Sequence, residues 1–310
     1  MNRRRPRWPE LPRELRAAIQ ERAGARVVGW SGHDDGYSPG PALTLELADG
    51  SSIFVKGADA EVNAESVRLL RRESAVVPLL PPSVPAPRWH WHAVEGTWEV
   101  AAFDVVAGRR PGPGPDDVAA LGRLVTMLAA TTAPAGVTGL ASDLDFVGWR
   151  SIGADPHLTT RLHADAPWAA AELDRLITIE SGWAEAARGD VLVHHDLRSD
   201  NVLVRPDGEA VALDWPHAVR GSAVLDLIGW LPSLRVEGGP EPATIFDEHP
   251  VGRAADRDAA TTVLTAIAGY FVHSAYLPPV PAIAHLRPFQ RAQGEVALRW
   301  LRQRLGPARP

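Results

Sequence analysis

The chain has 310 residues, 45% of them hydrophobic, no cysteine and a formal net charge of -6. That length can bury a substantial core in one large domain or two smaller ones, and the lack of cysteine excludes disulfides and thiolate metal centres. The negative balance argues against nucleic acid as a partner, and no apolar run approaches the ~20 residues that span a bilayer. The Arg-rich start, Met1 to Pro12, has no apolar stretch behind it and does not read as a secretory signal, so the expectation is a cytoplasmic protein without a membrane partner.

In chain order, Leu11, Leu15, Ala18 and Ile19 predict an amphipathic helix over 9–24 that stops at Gly24. Strand-like runs follow at 26–30, 42–47 and 51–55, the last two joined by Asp49-Gly50. The segment 31–40 between the first two is a glycine-bearing turn. It either offers backbone N–H groups to phosphates or is an ordinary hairpin turn. Lys56 ends the third run and is the only lysine beside 31 arginines. A compact ammonium can serve phosphate oxygens and a carboxylate at once, where a planar guanidinium fork fits poorly. Val62, Val67, Leu69, Leu70 and Val76 predict a helix over 60–77, with Glu61, Glu65 and Glu73 as possible partners for that lysine. After the proline-rich stretch 78–87, runs at 88–92 and 97–106 complete an expected five-stranded antiparallel sheet.

Beyond the Pro- and Gly-rich stretch 109–115 the pattern turns helical, at 116–131, 168–188, 222–234, 256–276 and 286–305, with 133–167 irregular. Residues 1–107 hold 13 basic and 14 acidic side chains, and residues 108–310 hold 19 and 24. The acidic excess of the second part suits a cationic small-molecule partner or a plain solvated surface.

Residues 191–215 carry the chemistry. Val191–Val193 reads as a buried strand that delivers the polar loop His194 to Asn201. Val202–Val204, the turn Pro206-Asp207-Gly208 and a returning strand from Ala210 to Leu213 follow, ending at Asp214. Three short strands would thus gather Asp196, Asn201 and Asp214 at one end. Phosphoryl transfer needs a carboxylate to orient and deprotonate an attacking hydroxyl, which suits Asp196. It also needs oxygen ligands for magnesium on a triphosphate, which suits Asn201 and Asp214. The spacing is that of a kinase catalytic loop; the plain alternative is a surface hairpin that happens to carry acids.

The run His194-His195-Asp196-Leu197-Arg198-Ser199-Asp200-Asn201, with Leu213-Asp214-Trp215 and the later Asp226-Leu227, resembles the aminoglycoside phosphotransferase family of small-molecule kinases. The resemblance extends over residues 25–305. It implies an α+β, two-lobed protein-kinase-like fold: an N-terminal antiparallel sheet lobe (1–106) that binds nucleotide, and a larger, mainly helical C-terminal lobe (107–310) for catalysis and substrate, with the active site between them. It implies ATP or GTP as co-substrate, Mg2+ as cofactor, and transfer of the γ-phosphate to a hydroxyl of a small molecule. Lys56 would grip the α and β phosphates. Glu73, in Arg71-Arg72-Glu73 shortly before Val77-Pro78, would hold it, with Glu65 as runner-up. Phe103, Asp104 and Val105 would form the hinge against the nucleobase. Arg198, where related loops carry lysine, would reach the transferred phosphate or stand as a surface arginine, and Asp226 would brace the catalytic loop. His195 departs from the family pattern, standing where many relatives have glycine, and Pro216 stands where relatives often carry an acid. An antibiotic-modifying phosphotransferase is the favoured reading. A kinase for choline, a hydroxy amino acid, a sugar or a natural-product intermediate is the alternative. A non-catalytic nucleotide-binding regulator is the third, disfavoured by the intact Lys56, Asp196, Asn201 and Asp214. The motifs leave the acceptor, the choice of nucleotide and the oligomeric state open.

Overall fold

A computed structural model describes residues 5–34, 39–143, 145–280 and 285–306. The chain divides into two compact units, one of Met1–Pro111, Pro134–Gly136 and Ser199–Ala218, the other of Gly112–Ala133, Val137–Arg198 and Val219–Pro310.

The first unit is built on an antiparallel sheet of β1 (Val27–Gly32), β2 (Ala42–Leu47), β3 (Ser52–Asp59), β4 (Trp89–Glu95) and β5 (Trp98–Asp104), in the order β1-β2-β3-β5-β4. Strand alternation sends Leu43, Leu45, Leu47, Ile53, Val55, Val100 and Ala102 into a core closed by Leu15 and Ile19 of helix α1 (Arg13–Ala23) and by Leu11 just before it. Each of these Leu, Ile and Val side chains removed from water contributes roughly 1.5–3 kcal/mol. Helix α1 stops at Gly24, whose φ of 71° is the left-handed conformation a helix-ending glycine adopts without strain. On the other side of the sheet lies helix α2 (Ala64–Val76).

Several boundaries differ from the sequence expectation, and two of them have a traceable cause. β3 does not end at residue 55, because β5 continues the ladder opposite it through Gly57↔Val100, Ala58↔Glu99 and Asp59↔Trp98; Lys56 is therefore mid-strand. Helix α2 starts at residue 64 and not 60. The N–H groups of Val62 and Asn63 turn back to the Asp59 carbonyl, and Asn63 then caps the helix by accepting from Ser66 N at 3.0 Å. The hairpin of β7 (Val202–Val204) and β8 (Ala210–Ala212), turned at Gly208 with φ 83°, belongs to this unit.

The second unit is mainly helical. It contains α3 (Pro115–Ala129) and the long helices Val224–Val236, Arg257–Tyr276 and Leu286–Leu305. Helix Arg257–Tyr276 packs against Leu286–Leu305, Gly148–Ala154 and Leu173–Glu180. The approach to Gly148–Ala154 is so close that a methyl group on Gly148 would overlap the Gly269 carbonyl. Strand β6 (Val191–Val193) does not join the β7–β8 hairpin as the sequence pattern implied; it pairs with β9 (Val219–Gly221), too short a run to stand out. The helix expected over 168–188 is broken into Pro167–Ala171, Leu173–Glu180 and Trp183–Ala186. Glu180 turns inward from the middle piece and accepts from the N–H groups of Trp149 and Arg150, both at 3.0 Å. The stretch 133–167, expected to be irregular, holds helices Leu140–Asp143, Gly148–Ala154 and Pro156–Asp165. The last is announced by Asp155-Pro156, a cap that accepts from His157 N at 2.8 Å followed by proline in the first turn. Among the described residues no helix is long and apolar enough to cross a membrane.

Candidate active site

In the first unit, alternation along β3 and β5 puts Lys56 and Phe103 on the sheet face opposite α1. The Lys56 ammonium donates to Glu73 Oε1 at 2.8 Å and Oε2 at 3.0 Å, pairs with the Asp214 carboxylate, and lies 5.5 Å from the centre of the Phe103 ring. Glu73 comes from the third turn of α2 and is 4% exposed, whereas Glu65 pairs with Arg68 and Glu61 is exposed. Burial alone would lower the Lys56 pKa, but the charges of Asp214 and Glu73 outweigh it and hold the ammonium above the ordinary lysine range. Burial pushes the Glu73 carboxyl up; Lys56 opposes that, the Asp214 charge adds to it, and the Trp215 N–H opposes it again. Glu73 Oε1 also accepts from Trp215 N at 3.3 Å, tying α2 to the residue after Asp214.

The β7–β8 register, Val202↔Ala212, continues through Leu213 N to Asn201 O at 2.8 Å, so Asn201 and Asp214 sit at one end of the hairpin. Asp214 has φ 57°, a left-handed conformation that costs a non-glycine residue about 1–3 kcal/mol. The surroundings hold it there. Trp215 is fully buried and its indole N–H donates to Ala212 O at 2.9 Å. Asn201 and Asp214 thus bring a neutral and an anionic oxygen to the same end of the hairpin, donors of the kind magnesium takes.

Phe103 is 2% exposed beside Phe54 and Trp89. Asp104 closes β5; its N–H donates to Arg88 O at 2.9 Å and its carboxylate lies 2.9 Å from His90 Nε2. Val105, just past the strand, is exposed. Residues 35–38 of the glycine-bearing turn lie outside the described residues. Its end is visible: a methyl group on Gly40 would overlap the carbonyl of Gly57, so the turn returns directly against the residue after Lys56.

The second unit holds the other group. Asp226, buried near the start of helix Val224–Val236, accepts from His194 N at 2.9 Å and His195 N at 2.7 Å. Burial pushes its carboxyl up to about 6 against the pull of those two N–H groups. His195 has φ 65°, the second non-glycine residue in the left-handed region among those described. Its two-point tether through Asp226 explains how histidine tolerates a conformation that glycine would adopt freely. His194 is fully buried, and its Nδ1 accepts from Asp196 N at 3.3 Å. Asp196 Oδ1 accepts in turn from Arg198 Nη1 at 2.6 Å, and the Arg198 guanidinium lies 5.9 Å from the Phe289 ring centre. A buried acid therefore fixes two peptides, and those fix the loop that carries Asp196.

Residues 44–260 match the model of a family described as the phosphotransferase enzyme family. The chain belongs to that family. Membership makes it a small-molecule phosphotransferase, a kinase with a hydroxyl acceptor. No curated protein matches the sequence. Among solved structures, the chain is similar to a thermostable mutant of aminoglycoside phosphotransferase APH(4)-Ia in complex with ADP and hygromycin B, at 15% identity and TM-score 0.61, covering 94% of this chain and 99% of that one. It is also similar to the spectinomycin phosphotransferase APH(9)-Ia in complex with ADP and spectinomycin, at 15% identity and TM-score 0.57, covering 94% and 98%. A third is choline kinase LicA from Streptococcus pneumoniae, at 12% identity and TM-score 0.58, covering 92% and 99%. What is shared at such identities is the two-lobed, kinase-like α+β fold.

Several residues beside the phosphotransferase motifs escaped the sequence reading. Phe146, Tyr270, Phe289 and Gln290 come from three separate segments near Asp196 and Arg198, and no spacing connects them. Glu180 could have been found only by knowing that the helix it caps exists.

Proposed function

We propose that the enzyme transfers the γ-phosphate of ATP, or GTP, to a hydroxyl of an aminoglycoside-type antibiotic, with residues 1–106 as the nucleotide-binding lobe and 107–310 as the catalytic and substrate-binding lobe. The observation that carries this reading is the Lys56–Glu73–Asp214 cluster, a cation held between two carboxylates. An ammonium so placed can exchange the Asp214 oxygen for phosphate oxygens while Glu73 keeps it in position. Phe103, Asp104 and Val105, at the end of β5, would offer backbone groups to the nucleobase.

Asp196 accepts the proton of the acceptor hydroxyl as its oxygen attacks the γ-phosphorus and the bond to the nucleoside diphosphate breaks. Arg198, paired with Asp196 in the free protein, is close enough in the chain to follow the charge to the transferred phosphate. Asn201 and Asp214 would hold magnesium, which would supply charge neutralisation on the phosphates. Asp226 keeps the loop in place through its two peptide contacts. The acidic excess of residues 108–310 supports an acceptor that carries cationic groups. The likeness in fold to choline kinase supports the alternative, a kinase for a hydroxylated metabolite. Screening hygromycin B, spectinomycin, choline, hydroxy amino acids and sugars for magnesium-dependent ADP release tests the reading. Transfer to an antibiotic supports resistance chemistry, transfer only to a metabolite replaces it, and no transfer to any hydroxyl acceptor defeats both.

A further inference from the structure

Beside Asp196, the second unit presents an aromatic surface that the reaction as described does not use. Tyr270, on helix Arg257–Tyr276, is 44% exposed. The side chains of Ser274, one turn along the same helix, and of Gln290 on helix Leu286–Leu305 stand within reach of its hydroxyl. Gln290 is 7% exposed, and its Oε1 accepts from Arg287 Nη1 at 2.8 Å. The Tyr270 ring meets Phe146 edge-on at 6.1 Å, and buried Phe146 rests on Trp183 at 5.2 Å. The same Phe146 meets the ring of His195, the residue before Asp196, at 6.2 Å. A large aromatic ring fixed at both ends and left open is a prepared contact surface, not loose packing. Burial and the Asp196 charge both push the Tyr270 hydroxyl up, so it stays neutral at working pH.

We propose that Tyr270 is the specificity-determining residue of the acceptor subsite, its ring taking the apolar face of a ring polyol, a sugar or cyclitol, whose reacting hydroxyl lies at Asp196. This rests on the phosphotransferase reading above. The surroundings choose the polyol over a small quaternary cation. Arg198 already neutralises Asp196 and already occupies the neighbourhood of the Phe289 ring, and Arg287 adds positive charge behind Gln290. A cation brought to Tyr270 meets two guanidinium groups and a carboxylate that is already paired. A ring polyol sets its C–H face against the open ring and its hydroxyl against Asp196, and its ammonium groups, if it has any, point elsewhere.

The test uses the full chain and saturation-transfer NMR with four ring probes, hygromycin B, spectinomycin, myo-inositol and glucose, and choline as the acyclic cation. Binding of ADP is titrated alongside. Wild type is expected to bind at least one ring probe more tightly than choline. Tyr270→Ala should weaken that probe at least tenfold, Tyr270→Leu should do the same with the volume kept, and Tyr270→Phe should stay within threefold. ADP affinity should be unchanged in all three, and where the probe is phosphorylated its KM should rise while kcat stays within threefold. Binding of choline in preference to every ring probe overturns the proposal, as does binding of no ring probe, or binding of the ring probe by the Ala and Leu variants as tight as by wild type. Such a failure with ADP still bound defeats the Tyr270 subsite alone. A wild type that binds no ADP overturns the phosphotransferase reading with it.

Discussion

Removing the charge of Lys56 should cost stability and activity by separable routes. Lys56→Met keeps an apolar stem of similar length and deletes the ammonium that lies between Glu73 and Asp214. Glu73 is 4% exposed, so it is left as a buried carboxylate beside a second one. Breaking a buried ion pair by deleting one partner costs ~3–5 kcal/mol. The lower end applies here, because the Asp214 side chain is 46% exposed and can turn to water. At ~2–4 °C per kcal/mol, the unit should melt about 6–12 °C below wild type at pH 8. With Lys56 gone, the burial that already raises Glu73 loses its main opponent. A carboxyl whose folded pKa lies above its unfolded value favours the fold when protonated and loses that contribution as pH rises through the folded pKa. The deficit should therefore shrink at pH 5. Lys56→Arg restores the cation, so it should recover at least half the lost melting temperature. Yet its longer planar fork cannot serve Glu73 and phosphate oxygens from one point, and kcat/KM for ATP should fall ~10²-fold or more. Differential scanning fluorimetry at both pH values and steady-state kinetics read the two effects. A Lys56→Met protein melting within about 2 °C of wild type at pH 8 would refute the stability argument. A Lys56→Arg enzyme with more than a third of wild-type activity would remove the lysine from the mechanism.

Asp196→Ala should abolish transfer while leaving nucleotide affinity nearly unchanged, as read by turnover and ADP titration; turnover within tenfold of wild type removes the base assignment. Asn201→Ala and Asp214→Ala should both weaken magnesium-dependent thermal stabilisation by a non-hydrolysable nucleotide, Asp214→Ala more, because an anionic oxygen contributes more to a hard dication than an amide does. An Asp214→Ala protein that keeps the full shift places the metal elsewhere. Asp226, with its carboxyl raised from 3.8 to about 6, contributes stability that is complete below pH 4 and lost as pH rises through 6, ~3 kcal/mol in all. Asp226→Asn should flatten that part of the pH dependence in chemical denaturation and lower kcat, one amide oxygen replacing two acceptors for two N–H groups; an unchanged pH slope counts against it.

Periodicity identified the sheet of the first unit because each strand carries one buried face, with Leu43, Leu45 and Leu47 against α1 and the intervening residues on the other side. It failed where the deciding contact is made by a distant segment. The length of β3 depends on its partner in β5, and Val191–Val193 pairs with three residues, Val219–Gly221, that carry no pattern of their own. The helix break at 172 was equally invisible, because alanine and leucine read as continuous helix around it, while Ser181-Gly182 did mark the second break. The turn of Glu180 into the N–H groups of Trp149 and Arg150 is a tertiary event.

The same division runs through the candidate site. The residues proposed to handle phosphate and proton were legible because such chemistry fixes their spacing along the chain. The six positions from Asp196 to Asn201 lie on one loop, Asp214 ends the next hairpin, and a lone lysine among 31 arginines marks itself. The left-handed conformations of His195 and Asp214 were not legible, since neither residue type signals a positive φ; only Asp226 and Trp215, which hold them, show why they persist. The acceptor side is unreadable for a deeper reason. Recognition of a small molecule constrains positions in space, and the groups proposed for it, Phe146, Tyr270 and Gln290, can each be supplied by any loop or helix that reaches the spot. Phosphoryl-transfer residues are bound to a loop and its flanking strands, so divergence leaves them in register. Residues facing the acceptor are bound only to the packing of helices, so each member of such a family can recruit them afresh. A sequence can therefore announce a kinase and stay silent on what it phosphorylates.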